Sequence, residues 1–194
     1  MQENHEGVIL SKRLQTVASL VEPGSILLDI GTDHAYLPIN LYHQKKIDHA
    51  YAGEIAKGPY ENALENIKKY QAENTIELFL GTGFSVVEQI DNPEQIDVIT
   101  IFGMGGQLIA DIIQEGVNKN QIPADAELIL QPNNQESVLR EKLIQLGYDI
   151  VAEEIIKEQA FYYEIIKAAP VSSAINYSEE ELFFGPILLE EKSD

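Results

Sequence analysis

LLDIGTDHAYLP, residues 27–38, is the stretch on which the reading of this chain turns. An apolar run ends at Asp29-Ile30, a lone Gly31 follows, and Asp33 and His34 stand just before a helical pattern. A short apolar run bounded by turn residues is the pattern of a strand buried on both faces, as in a parallel sheet. SILLDI (25–30) fits it, with Pro23-Gly24 breaking the chain on its amino-terminal side. A strand that ends on two carboxylates and a histidine around one glycine needs something for those groups to hold.

Outward from this segment the chain alternates. LSKRLQTVASLV (10–21) spaces Leu10, Leu14, Val17, Ala18 and Val21 as a helix, with Ser11 as its cap. A helix is expected from Tyr36 to about Lys45, with Pro38 in its first turn. HAYAGEI (49–55) reads as a strand and Pro59 to Tyr70 as a helix. IELFL is a strand, GTGF a turn, SVVEQI a helix, IDVITIF a strand, GMGG a turn and QLIADIIQEGV a helix. ELILQP is a fifth strand and Ser137 to Leu146 a fifth strand-following helix, ended by Gly147. The rhythm then changes, because YDIVAEEIIKE and AFYYEIIKAA are two extended runs that read as an antiparallel hairpin. The expected fold is α/β: a mostly parallel seven-stranded sheet, helices on both faces and a carboxy-terminal hairpin. Residues 1–170 form one domain in this reading. Residues 171–194, with their small polar stretch, glutamates and final apolar cluster, are expected to be a linker and the start of a second unit.

Composition narrows the class. The 194 residues are 44% hydrophobic, enough to bury a core and to exclude wholesale disorder. Cysteine is absent, which removes disulfides, thiolate metal sites and a cysteine nucleophile, and no metal is expected. No apolar run reaches the ~18 residues of a membrane span, and MQENHEG lacks the features of a secretory signal. A cytoplasmic protein without membrane contact is the expectation. Thirteen Lys and Arg against 32 Asp and Glu give 13 − 32 = −19. Such a surface repels nucleic acid at long range unless its few cations are gathered. The basic pairs Lys12-Arg13, Lys45-Lys46 and Lys68-Lys69 read as solvated helix faces.

Ligands of open parallel sheets bind beyond the carboxyl ends of the strands. Here those ends carry Asp29 to His34, then Gly53-Glu54, then Gly81-Thr82-Gly83, then Gly103-Met104-Gly105-Gly106, then Gln131-Pro132-Asn133. A dinucleotide site would need G-x-G-x-x-G to bring backbone N–H groups to the pyrophosphate. Gly31 instead precedes Thr32 and Asp33, and a carboxylate there disfavours phosphate. A cationic ligand with a ribose suits this edge, and S-adenosylmethionine, with its sulfonium, ammonium and diol, is one. Asp29 and Asp33 would meet the cationic end, Gly31 would allow close approach, and Glu54 would take the ribose hydroxyls. Each has a plainer alternative. Asp29 suits a helix cap or loop clamp, Glu54 an ordinary strand end, His34 a loop-ordering role, Met104 core packing, and Asn133 a turn.

Taken together, LSKRLQTVASLV, DIGTDHAYLP, the G-x-G at 81–83, GMGG at 103–106, LILQPN at 128–133 and FYYEII at 161–166 resemble the bacterial tRNA (adenine-22-N1)-methyltransferases. The resemblance runs from about Leu10 to Leu189, with Thr32 where that family's motif has serine. It implies a Rossmann-like class I methyltransferase domain followed by a helical, coiled-coil-like unit, S-adenosyl-L-methionine as cofactor, and tRNA as substrate. It also implies methylation of adenine N1, with Asp33, His34 and Asn133 as the catalytic set. The cofactor set is then Asp29, Gly31, Thr32, Tyr36, Glu54, Ile55, Gly81, Thr82, Gly83, Gly103 and Met104. Two readings stay beside it: a methyltransferase acting on a small molecule or protein, and a binding module that has lost activity.

Overall fold

A computed structural model describes residues 8–191; MQENHEG, read above for a secretory signal, and residues 192–194 lie outside them. Helix α1 (Lys12–Leu20) leads into β1 (Ser25–Ile30), α2 (Tyr36–His43), β2 (Ile47–Glu54), α3 (Lys57–Lys69) and β3 (Ile76–Leu80). The chain then crosses back to β4 (Val98–Met104), α4 (Gly106–Asn118), β5 (Glu127–Pro132) and α5 (Glu136–Gln145). The hairpin β6 (Tyr148–Glu158) and β7 (Phe161–Pro170) follows, then the short helices α6 (Glu179–Phe184) and α7 (Pro186–Glu191). The strand order is β3-β2-β1-β4-β5-β7-β6. Strands β1 to β5 pair in parallel, and β7 pairs antiparallel with both β5 and β6.

The alternation of side chains along each strand sorts the core into two layers. Leu28, Ile30, Ile99, Ile101, Leu128 and Leu130 pack with Ile109 and Ile113 of α4 and Leu139 and Leu143 of α5. Leu27, Ala50, Ala52, Val98 and Ile129 pack on the other face with Val17 and Ala18 of α1, Leu37 and Leu41 of α2, and Ala63 and Ile67 of α3. Both faces are covered, which is why the parallel strands carry uninterrupted apolar runs. Ser11 caps α1, its Oγ accepting from Leu14 N at 3.4 Å.

One expected element differs. SVVEQI, read as a helix, falls on a 3-10 turn over Gly83–Gln89, with Ile90 extended just after it. Two adjacent valines are poor α-helix formers, and the Thr82–Ser85 capping box closes a tight first turn. Val86 and Val87 are drawn into the core, so tertiary burial rather than helical period sets this segment.

The carboxy-terminal segment is bound to the sheet by a buried ion pair. Arg140 of α5 donates from Nε to Glu153 Oε1 of β6 at 2.7 Å, and neither side chain is exposed. Arg140 also bonds Glu164 and the Leu182 carbonyl, at 3.2 Å for the latter. Glu153 Oε2 accepts from Ile187 N at 3.0 Å. The same pair therefore answers the carbonyl end of α6 and the amide end of α7.

Candidate functional site

All five parallel strands end on one rim, because parallel pairing puts their carboxyl ends together. The chain runs from β1 outward to β2 and β3, then returns to β4 on the other side of β1. Loops leaving β1 and β4 diverge at this switch point and open a crevice.

The β1–α2 loop is held in an unusual shape. Gly31, Asp33 and Ala35 all have positive φ, at 76°, 53° and 56°. Gly31 and Thr32 both donate their backbone N–H to Gly53 O, at 2.9 and 3.0 Å. A Cβ at Gly31 would lie 2.5 Å from Met104 Cε, the mobile tip of a flexible side chain, so it is the positive φ that calls for glycine there. The β4–α4 loop is equally close-packed. A Cβ at Gly106 would stand 2.3 Å from the Gln135 carbonyl oxygen.

Asp29 lies under this loop with no exposure. It faces the α1–α3 layer beside Thr100, its register partner on β4. Its carboxylate accepts from Thr32 Oγ1 at 2.7 Å and Thr100 Oγ1 at 2.6 Å. Burial drives its pKa from 3.8 to about 6, against the lowering effect of the two hydroxyls and with a further push from Glu54. The expectation that Asp29 meets a cationic ligand directly is corrected by this enclosure. One oxygen fastens the loop through Thr32 and the other holds Thr100 of β4, so its charge acts from beneath.

Glu54 ends β2 almost buried. Oε1 accepts from Ile55 N at 2.9 Å and Ala56 N at 3.1 Å, and Oε2 from Asp33 N at 3.1 Å. An ionised carboxylate offers about four lone-pair positions, so one remains, on Oε2, for a further donor. Glu54 thus locks the β1 and β2 loops together and still presents an acceptor.

Two adjoining pockets fill the crevice. The larger, about 410 Å³, is walled by Asp33, Glu54, Gly103, Arg13, Phe102 and Gln131 among others. The smaller and more apolar, about 230 Å³, is walled by Gly81, Thr82, Gly83, Leu108 and Ile112 among others. Gly31, Ile55 and Met104 belong to both. Ile55 is 65% exposed, an apolar side chain held open at the junction.

The remaining expected residues stand around these pockets. Thr32 is buried, donating to Asp29. His34 stacks on Tyr36 with ring centroids 5.2 Å apart, its Nε2 3.6 Å from Asp33 Oδ2; neither ring lines the two pockets. Asn133 donates from Nδ2 to Gly103 O at 2.7 Å and from its backbone N–H to Met104 O at 2.7 Å. It ties β5 to the β4 loop, and does not line either pocket.

Sequence reasoning missed Arg13 as a wall residue. Its guanidinium bonds Glu158 Oε2 at 2.8 Å and Gln131 Oε1 at 3.2 Å and lies 4.2 Å from the Tyr163 ring centre. Nothing in Lys12-Arg13 alone separates it from a solvated pair; only the meeting of α1, β5 and β7 does. Gln131 was visible as a strand-end amide. The larger pocket thus holds two carboxylates, a third beneath it and one guanidinium, a balance suited to a cationic ligand.

Known proteins share this sequence pattern and fold. A model of the methyltransferase domain family matches residues 10–166. The tRNA (adenine(22)-N(1))-methyltransferase of Bacillus subtilis is 37% identical over 188 residues, covering 95% of this chain and 76% of that one. A Streptococcus pneumoniae protein solved in complex with S-adenosyl-L-methionine is 42% identical with a TM-score of 0.86, over 95% of this chain and 83% of that one. M. capricolum TrmK, solved with S-adenosyl-homocysteine, is 34% identical with a TM-score of 0.80, over 91% of this chain and 75% of that one.

Proposed function

From the premise that the chain belongs to the tRNA (adenine-22-N1)-methyltransferase family, we propose that it methylates N1 of adenosine 22 in tRNA, using S-adenosyl-L-methionine. The observation that carries this reading is the two-part crevice whose shared wall is Gly31, Ile55 and Met104. The residues present fit the cofactor. Gly31 brings bare backbone to the wall of both pockets, an acidic loop suits its cation, and an apolar pocket suits its adenine. Glu54, through its one remaining acceptor position, would hold a ribose hydroxyl. Gly81 to Gly83 and Ile55 would flank the adenine. Asp29 and Thr32 would hold the β1 loop in shape, with Tyr36 ordering its far end.

When bound, the cofactor supplies an electrophilic methyl group on a cationic sulfur. Adenine N1 carries a free lone pair near neutral pH, so this chain needs no strong base and must chiefly align the reactants. The methylated ring is cationic, and the exposed Asp33 carboxylate is placed to stabilise that charge. His34 would shape the approach beside it, and Asn133 would hold Gly103 and Met104 as the wall past which the methyl passes. N1 lies on the pairing edge, so the target base must be unpaired or flipped before it reacts.

Residues 1–170 form the methyltransferase domain in this proposal, and residues 171–194 are a linker and the start of a helical unit. The seating of α6 and α7 on the Arg140–Glu153 pair supports a fixed junction. A cytoplasmic location goes with a tRNA substrate; among the described residues no helix is long and apolar enough to cross a membrane. The test is transfer of radiolabelled methyl to unmodified tRNA, followed by mapping of the labelled nucleotide. Label at adenosine 22 is expected. Label on small molecules or protein, with none on tRNA, would overturn the proposal.

A further inference from the structure

The hairpin β6–β7 is longer than its place in the sheet requires. β7 pairs with β5 only over Leu128–Leu130 opposite Ile166–Ala168, and β5 ends at Pro132. Because β7 runs antiparallel, its first residues lie on the rim that carries the crevice. Residues 161–163 and their partners on β6 rise past that rim by about 10 Å, at about 3.3 Å per residue.

The two faces of this projection differ. Cross-strand pairing sets Phe161 against Glu158, Tyr162 against Lys157 and Tyr163 against Ile156. Phe161 and Tyr163 share the face toward α1, with ring centroids 6.4 Å apart. The Arg13 guanidinium carbon lies over the Tyr163 ring, 4.2 Å from its centre, and Arg13 is itself a wall of the larger pocket. The three groups form a continuous row leading from the pocket outward. Glu158, the acid on this face, is already answered by Arg13 and by the Lys12 backbone N–H at 2.8 Å. Tyr162 and Lys157 occupy the opposite face. Phe161 is 64% and Tyr162 67% exposed, large apolar groups that folding alone does not account for.

We propose that the Arg13–Tyr163–Phe161 row is the platform on which an unpaired nucleotide of the tRNA beside the target base stacks. The proposal rests on tRNA being the substrate. An occupant with flat apolar faces suits a row of two rings and a guanidinium whose charge Glu158 already balances. Continuity with the pocket favours RNA over a protein partner, since the displaced target must enter from this rim. It also offers an acidic chain a local means of holding RNA.

The test compares Phe161→Ala, Phe161→Tyr and Tyr162→Ala in the full chain, measuring affinity for unmodified tRNA, affinity for S-adenosyl-L-methionine and oligomeric state. Phe161→Ala should weaken tRNA binding by about 5- to 100-fold, the range of one lost base stack. Phe161→Tyr should bind as the parent does, cofactor affinity should stay unchanged, and Tyr162→Ala should weaken tRNA binding by less than about threefold, as for a near-neutral contact. If the parent binds and methylates tRNA while Phe161→Ala is indistinguishable from it, the platform is refuted and the enzymatic reading stands. A parent that ignores tRNA refutes both. Equal losses in Phe161→Ala and Tyr162→Ala would overturn the assignment of the face, and a changed oligomeric state with unchanged tRNA affinity would assign the hairpin to protein contact instead.

Discussion

Replacing Asp29 with Asn tests whether the enzyme keeps a buried charge under its site at the expense of stability. Asp29 has no exposure, and its pKa stands at about 6 against an ordinary 3.8. An acid whose pKa is higher in the folded state binds its proton more tightly there, so low pH favours the fold. Stability contributed through Asp29 falls as pH rises from about 4 to about 6 and is level above. The gap, 6 − 3.8 = 2.2, corresponds to about 3 kcal/mol at 1.36 kcal/mol per pKa unit. Asn has nearly the same shape, and a threonine hydroxyl can turn to accept from its amide. Urea unfolding from pH 4 to 8 should therefore show the Asp29→Asn variant gaining on the parent by up to about 3 kcal/mol between pH 4 and 6, with no further gain. Calorimetry should show cofactor affinity falling by roughly 10-fold, because the loop that meets the cation loses the charge beneath it. A stability difference that stays flat across this range would mean that the carboxyl titrates alike folded and unfolded. The account of Asp29 would then be wrong.

Glu54→Ala should weaken cofactor binding by on the order of 10- to 100-fold, since it removes a charge-assisted acceptor and frees three loop amides; unchanged calorimetric affinity would remove Glu54 from the site. Asp33→Asn preserves a side chain that tolerates the positive φ and should lower turnover more than cofactor affinity; an equal fall in both would make Asp33 a cofactor ligand. Glu153→Ala leaves Arg140 buried beside one remaining carboxylate and should cost about 3–5 kcal/mol, or roughly 6–20 °C in thermal midpoint, with cofactor affinity retained in the folded fraction. Gly106→Ala drives a methyl into the Gln135 carbonyl, which as backbone cannot swing aside, and should destabilise by about 2 kcal/mol or more; a neutral midpoint would show that the two loops are not in firm contact.

The strands and helices were legible because their signals are local. SILLDI, IELFL and ELILQP coincide with β1, β3 and β5, being short apolar runs cut off by turn residues. The common rim followed from them, since right-handed strand–helix alternation leaves parallel strands ending together. Residue types at those ends pointed to a cationic, ribose-bearing ligand before any contact was visible. SVVEQI marks the boundary of that method: its period suits a helix, but burial of Val86 and Val87 holds a 3-10 turn instead.

What an acid or a base does within the site was settled only by partners distant in sequence. Asp29 and Asp33 look alike along the chain, yet Thr100, 71 positions away, encloses one while the other stays exposed. Lys12 and Arg13 look alike too, and only Gln131 and Tyr163 bring one of them into the crevice wall. Composition and period are carried by neighbours in the chain, so they specify elements and their order. Desolvation, lone-pair occupancy and ring contact are carried by neighbours in space, and these decide which charge fastens a loop and which one stays open to solvent.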